Sequence, residues 1–290
     1  MVIGQVTEQL RLNRNGIVFH ELTHEELQAA CVGLARVLLR SGLNTVVDQD
    51  HLLLWSWLAQ LLVSRSGGAG ADREVRELLS VCVRAALAPT RPPTTDRYAL
   101  QVQRQIDDLI PFHLRWFGMQ SHVVLAYLSF PALEGVLKLA CGSFVDLSGK
   151  AVVPFSVPAR SGGGTNDYGP SSGRPQCSSL RDLLLLHHAS VAVDPLRARV
   201  QEIRDHLASL QPATDGFDLL YDWRNSSLHG AASYPTIGGT VLTLALLIAL
   251  EGVKADFETS RAAAWQGVEW ELRTGADSRS RSPWSFYPPY

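Results

Sequence analysis

The segment Trp223-Arg224-Asn225-Ser226-Ser227-Leu228-His229-Gly230 combines two side chains that can carry out phosphate chemistry. An arginine holds phosphate oxygens with a planar fork of N–H donors. A histidine takes up and returns a proton near neutral pH. Arg224 and His229 are together sufficient to cleave RNA without a metal, because the ribose 2′-hydroxyl is a built-in nucleophile.

The spacing of these two residues sets a geometric condition. Helical residues advance by about 100° and 1.5 Å each, so five positions separate Arg224 and His229 by about 140° around a helix and about 7.5 Å along it. On a straight helix the two side chains therefore do not share a face. They converge on one phosphate if the helix bends or ends between them, or if a second chain brings its own copy of the segment alongside.

Three polar neighbours could support this pair. Asn225 could hydrogen-bond a phosphate or fix the arginine fork, and Ser226 lies beside it in the same polar patch. The alternative is that these poor helix formers mark a loosened turn. Asp222 could orient Arg224, or it could be an ordinary surface carboxylate.

Glu134 is a further candidate from a distant part of the chain. It lies in the otherwise apolar segment 131–138, where a carboxylate could steady an active-site arginine or histidine. The alternative is an ordinary helical ion pair with Lys138, four residues later.

The order Arg-x4-His-Gly, followed by an apolar run from Val241 to Leu250, resembles the motif of the HEPN superfamily. This is a group of helical domains that includes many RNases, and the resemblance is sharpest over residues 178–258. It implies that Arg224 and His229 are the catalytic residues of a metal-independent endoribonuclease that needs no cofactor. HEPN enzymes are generally homodimers with both motifs lining one cleft, so the resemblance also implies a two-fold dimer that binds RNA.

The same resemblance suggests a role as a toxin or antiphage-defence effector, with an antitoxin or regulatory protein as a possible partner, by analogy alone. The first alternative is a non-catalytic HEPN module that binds nucleotides or RNA, or that assembles with a partner. A weaker alternative is a zinc hydrolase.

The zinc alternative rests on His20-Glu21-Leu22-Thr23-His24, a literal HExxH sequence. That motif needs both histidines one turn apart on a single helix. Thr23 and Glu26 form a capping box, which predicts that the helix begins at Thr23. His20 then lies outside the helix and the two rings diverge, so we predict no metal site.

Composition limits the class of protein. Apolar residues make up 46% of the 290, which excludes a disordered chain, and the net charge of −2 provides no global positive field for nucleic acid.

Four cysteines without a CxxC pair predict buried thiols in a reducing cytosol. The N-terminus shows no signal-peptide pattern, and 241–250, the only candidate membrane segment by sequence pattern, is too short to span a bilayer. We therefore expect a cytoplasmic protein with no membrane partner.

The pattern of apolar residues predicts a mostly α protein with a small β-hairpin insertion. The resemblance implies that its helices form a HEPN-like bundle. We expect an N-terminal helical region over 1–90, a HEPN-like domain over 94–276 with a flexible loop at 159–177, and an irregular tail over 277–290. The hairpin is predicted at 144–157, turning at Leu147–Lys150. Gly238 and Gly239 favour close helix approach at the dimer seam over an anion site. Helices are predicted over 23–40, 52–63, 72–87, 94–116, 121–141 with a kink at Pro131, 178–191, 195–210, 215–229, 237–257 and 260–272.

Overall fold

The computed structural model describes residues 18–41, 50–63, 72–88, 96–160, 163–171, 173–228, 235–274, 282 and 284–289. Within these ranges the chain forms eleven α-helices and one two-stranded antiparallel sheet, so the predicted mostly α bundle with a small hairpin is confirmed. The helices are α1 (His24–Ser41), α2 (Asp50–Leu62), α3 (Arg73–Leu87), α4 (Arg97–Leu109), α5 (Phe112–Met119), α6 (Ser121–Ala140), α7 (Leu180–Leu186), α8 (Leu196–Leu210), α9 (Gly216–Leu228), α10 (Pro235–Glu251) and α11 (Phe257–Arg273), and the strands are β1 (Phe155–Pro158) and β2 (Thr165–Tyr168).

Helix α10 is the centre of the core. Every residue from Ile237 to Leu250 is buried, and both α1 and α6 pack against this helix. A helix that is apolar all round must be enclosed by other helices, so its central position follows from its sequence. The buried hydroxyl of Thr243 is hydrogen-bonded: it accepts a bond of 3.0 Å from the indole of Trp55 and donates to the carbonyl of Gly239 at 2.7 Å. The helix ends earlier than predicted, at Glu251, before a short 3₁₀ turn over Lys254–Asp256.

Gly238 allows α10 to cross α6 in direct contact. A Cβ atom at this position would lie 2.8 Å from both the backbone N and Cα of Ala126. The close approach predicted for this glycine is therefore made inside one chain, between α10 and α6, rather than at a dimer seam.

Replacing Gly238 by alanine should lower the free energy of unfolding by about 1–3 kcal/mol, because the added methyl must push apart two backbones that already touch. Gly267 on α11 is the matched control, since a methyl group added there would meet no other atom within 4 Å. Gly267→Ala should be neutral or stabilise by up to about 1 kcal/mol through helix propensity. Urea unfolding of both variants checks the difference, and equal effects would contradict the tight crossing.

The helix predicted over 94–116 is two helices. Pro111 separates α4 from α5, and Ile110 before it adopts an extended conformation with ψ of 126°. Proline lacks the N–H that would continue the helix and disfavours the helical region for the residue before it. By contrast, Pro131 lies inside α6, which runs on through it.

The hairpin lies further along the chain than predicted. Leu147–Lys150 forms a turn closed by an isolated bridge between Val145 and Ala151, with Gly149 at φ +86°. The sheet itself pairs β1 with β2, and β2 falls within the segment that was predicted to be flexible. The strand forms there because Tyr168 is buried and stacks on Phe155, with ring centroids 4.9 Å apart.

The N-terminal helices share one core with the rest of the chain. Side chains of α1, α2 and α3 belong to the same buried cluster as those of α6 and α10, so the described part of the region predicted over 1–90 shares its core with the rest of the chain. The boundary predicted between these two regions, between residues 90 and 94, lies outside the described residues. Part of the aromatic tail also docks on this core: Phe286 is buried, and its backbone N–H donates to Gln60 at 2.8 Å.

All four cysteines are buried free thiols, as predicted, and burial raises the pKa of Cys31 to about 12.

By length and composition, α6 is the one described helix that could cross a membrane by itself. If α10 and α11 are counted together as one bent span, the described residues contain two such candidates. The prediction from sequence considered only 241–250 and missed α6. In the fold α6 packs against α3 and α10.

Candidate functional site

Helix α9 carries the first part of the Arg-x4-His segment. The helix begins at Gly216 because Asp215 caps it, accepting a hydrogen bond of 2.9 Å from the backbone N–H of Phe217. It continues to Leu228 and so includes Arg224. His229 and Gly230 lie outside the described residues. The structure therefore shows where the guanidinium of Arg224 lies, whereas the position of the His229 imidazole stays a prediction.

Arg224 is held by a carboxylate from α6. Its Nε donates to Glu134 at 3.0 Å, and its Nη1 donates to the side-chain oxygen of Asn225 at 3.1 Å. The Arg224 side chain is 27% exposed, whereas that of Glu134 is 16% exposed. Two of the guanidinium nitrogens are therefore held by neighbouring side chains, while part of the group reaches solvent. An arginine held in this way is already oriented when an anion binds.

The structure resolves two alternatives left open by the sequence. Glu134 forms its ion pair with Arg224, ninety residues away, rather than with Lys138 on its own helix. Asn225 fixes the arginine fork, and α9 remains helical from Asn225 through Leu228, so these residues do not loosen the turn there. Ser226 is half-buried on the same helix and makes no hydrogen bond to Arg224 or Glu134.

Asp222 does not orient Arg224. Its two carboxylate oxygens accept hydrogen bonds of 2.7 and 2.6 Å from the two terminal nitrogens of Arg160, in the connection between β1 and β2. This bidentate pairing raises the pKa of Arg160. The guanidinium also lies over the ring of Tyr221, 5.7 Å from its centroid. Asp222 therefore ties the hairpin to α9, and no sequence pattern signalled its distant partner.

A buried ionic cluster beneath the hairpin was also missed. Asp182 is 3% exposed and accepts hydrogen bonds from Tyr168 at 2.6 Å, Asn166 at 3.0 Å and Arg181 at 3.0 Å. Arg181 also binds Asp218 on α9 and donates to the carbonyl of Pro158 at 2.6 Å. Burial and the bond to Asp182 raise the pKa of Tyr168. The available signal was an Arg-Asp pair inside a leucine-rich helix, since buried charges need partners.

Together these contacts make α9 a rigid support. Arg181 of α7 binds Asp218, Arg160 of the hairpin connection binds Asp222, and Glu134 of α6 holds Arg224. Asp218 and Asp222 are four positions apart and so lie on one side of the helix. Arg224 is six positions beyond Asp218 and faces α6 instead. This arrangement holds one cationic side chain, that of Arg224, in a fixed position where an anionic ligand could bind to it.

The two histidines of the HExxH sequence point to different surroundings. The capping box is present: the backbone N–H of Thr23 donates to Glu26 at 2.9 Å, and α1 begins at His24. His20 lies in a 3₁₀ turn and stacks on Trp265 with centroids 3.5 Å apart. The ring of His24 instead donates to the carbonyl of Leu250 at 3.1 Å. Across the described ranges no group of three or more metal-ligating side chains comes together.

Comparison of the chain with protein-family models, with curated proteins and with solved structures gave no match, so the site is interpreted from its own chemistry.

Proposed function

We propose that this chain is a metal-independent endoribonuclease in which Arg224 and His229 act on one phosphodiester of RNA. The observation that carries the proposal is the hold of Glu134 and Asn225 on Arg224, next to the end of α9. Fixing an arginine before the substrate arrives lowers the reorganisation needed to stabilise charge in the transition state.

The proposed reaction needs one base and one acid. His229 removes the proton of the 2′-hydroxyl, O2′ forms a bond to phosphorus, and the bond from phosphorus to O5′ breaks. A protonated imidazole supplies the proton to the departing O5′. Arg224 stabilises the charge that develops on the phosphate oxygens. The products are a 2′,3′-cyclic phosphate and a 5′-hydroxyl, and a two-fold dimer supplies the second imidazole from the second copy of His229.

A homodimer is supported by an apolar surface formed by α4 and α5, most of which no other described part of the chain covers. None of the side chains of α4 is buried, although the helix is strongly amphipathic. Leu109, Phe112 and Trp116 are 83%, 69% and 52% exposed. Exposed apolar patches of this kind mark protein interaction sites. The surface adjoins the N-terminal end of α6, which contacts the start of α10 just after the segment 229–234.

A role in toxin–antitoxin or antiphage systems, with an antitoxin or regulatory protein, remains a proposal by analogy with the superfamily that the motif resembles.

The test is cleavage of a mixed RNA pool in EDTA, with the oligomeric state measured by light scattering at the same protein concentration. We expect a dimer and products that end in 2′,3′-cyclic phosphate. The double variant Leu109→Glu/Phe112→Glu should be monomeric and inactive, whereas Leu147→Glu, at a distant exposed position, should remain dimeric and active. Binding without cleavage would favour the non-catalytic module, and an active monomer would contradict the composite cleft.

A further inference from the structure

A cavity of about 320 Å³ lies between the C-terminal parts of α6 and α10 and the π-helical turn His187–Val191 that follows α7. The volume falls at the lower end of the range occupied by small-molecule sites. Turns of π-helix are rare and are often found at functional sites. The walls are mainly aliphatic, formed by Val136, Leu139, Val191, Leu196 and Ile248.

His187 is the one polar side chain deep in this lining. It is 1% exposed, and its Nδ1 is buried without a hydrogen-bond partner in the part of the chain that the structure describes. A buried polar atom left unpaired is unfavourable, so most such atoms in folded proteins are satisfied by protein, water or ligand. A hydroxyl group can either donate to or accept from an imidazole nitrogen, and would satisfy Nδ1 in either tautomer.

The rim of the cavity disfavours an anion. Glu251 lies there, and its carboxylate accepts hydrogen bonds from Lys254 at 2.9 Å and from Gln28 at 3.1 Å. The described lining includes no arginine or lysine. A carboxylate or phosphate ligand would therefore lose its hydration without gaining a cationic partner, which is costly. The arrangement favours an uncharged ligand.

The cavity is distinct from the proposed RNA site. Val136 follows Glu134 by two positions, which places the two side chains about 200° apart around α6. Glu134 therefore faces α9, whereas Val136 faces the cavity. Occupancy of the cavity does not depend on the proposed nuclease activity.

The geometry points to a binding site for a small uncharged molecule with a hydrocarbon body and a single hydroxyl group. The hydrocarbon part fills the aliphatic space between α6 and α10, and the hydroxyl bonds to Nδ1 of His187. This ligand class matches every lining group: apolar walls, one buried hydrogen-bonding atom and a rim carboxylate that already has its partners.

The test compares two soluble probes of equal chain length on the full chain, 1-hexanol and hexanoate, by isothermal titration calorimetry at neutral pH. We expect saturable binding of one 1-hexanol per chain, and binding of hexanoate weaker by about tenfold or more because of its uncompensated charge. Equal affinity for the two probes, or no saturable binding of 1-hexanol, would overturn the proposal.

Three variants locate the binding. Ala249 lines the cavity and is 5% exposed, so Ala249→Leu should fill part of the space and remove 1-hexanol binding. His187→Phe keeps an aromatic ring without its nitrogen and should weaken binding by about three- to tenfold. His188→Phe changes the neighbouring histidine, which does not line the cavity, and should bind like the original chain. If His188→Phe has the same effect as His187→Phe, or if both cavity variants bind normally, the site is not this cavity. Circular dichroism of each variant separates loss of binding from loss of fold.

Discussion

His229→Ala should reduce the proposed metal-independent RNA cleavage by about 10²–10⁴-fold, because the proton transfers to and from the two oxygens lose their acid and base. Arg224→Ala should reduce cleavage by about 10²–10³-fold, the scale expected for loss of one group that stabilises transition-state charge. The measurement is the single-turnover rate on a defined RNA in EDTA. Full activity in His229→Ala would remove the assignment of this residue.

Two carboxylate variants test the arrangement seen around Arg224. Glu134→Gln keeps the size of the side chain and weakens its hold on Arg224 Nε, so cleavage should fall, by less than in Arg224→Ala. Asp222→Asn should leave cleavage nearly unchanged, because its partner is Arg160 and not Arg224. The reverse order of effects would support the orienting role that the sequence suggested for Asp222. Thermal unfolding of both variants controls for loss of fold.

Local sequence signals predicted the elements that depend on neighbouring residues. The capping box at Thr23 and Glu26 places the start of α1 to within one residue, because both hydrogen bonds close within a single turn. The uniformly apolar run at 241–250 predicted the central helix, since no face of it can meet water. Pro111 was also a visible signal, and the error in predicting one helix over 94–116 came from giving apolar periodicity precedence over a helix breaker.

Contacts between distant residues could not be predicted from local patterns. The strand β2 has a glycine- and serine-rich neighbourhood that is typical of loops, and it is ordered by Tyr168 and Asn166 bonding to Asp182 on α7. Likewise, nothing near Asp222 indicates Arg160, which lies sixty-two residues earlier. The pairing of Glu134 with Arg224 was one of two alternatives from the sequence, and only the packing of α6 against α9 decides between them. The site residues could thus be nominated from residue type, whereas their partners required the fold.

Acidification should destabilise the protein strongly between pH 6.5 and 4. His51 and His187 are 6% and 1% exposed, and desolvation lowers the pKa of each to about 4, with the charge of His188 as a second cause at His187. Both folded-state values lie below the unfolded value near 6.5. As the pH falls, the unfolded chain therefore binds protons before the folded chain does, and the free energy of unfolding decreases. Above about pH 7 the two states carry the same charge at these positions and the effect disappears.

The expected loss is about 2 kcal/mol per histidine at pH 5 and about 3 kcal/mol per histidine at pH 4. Urea unfolding at pH 7 and pH 5 measures it directly. His51→Phe and His187→Phe keep an aromatic ring at each buried position and remove the titrating group, so each variant should lose about 2 kcal/mol less than the original chain between these pH values. The double variant should lose about 4 kcal/mol less, because the two sites lie on different helices and act independently. A pH dependence that is unchanged in both single variants would show that acid acts through other groups, whereas a change confined to His187→Phe would place the whole effect at the cavity.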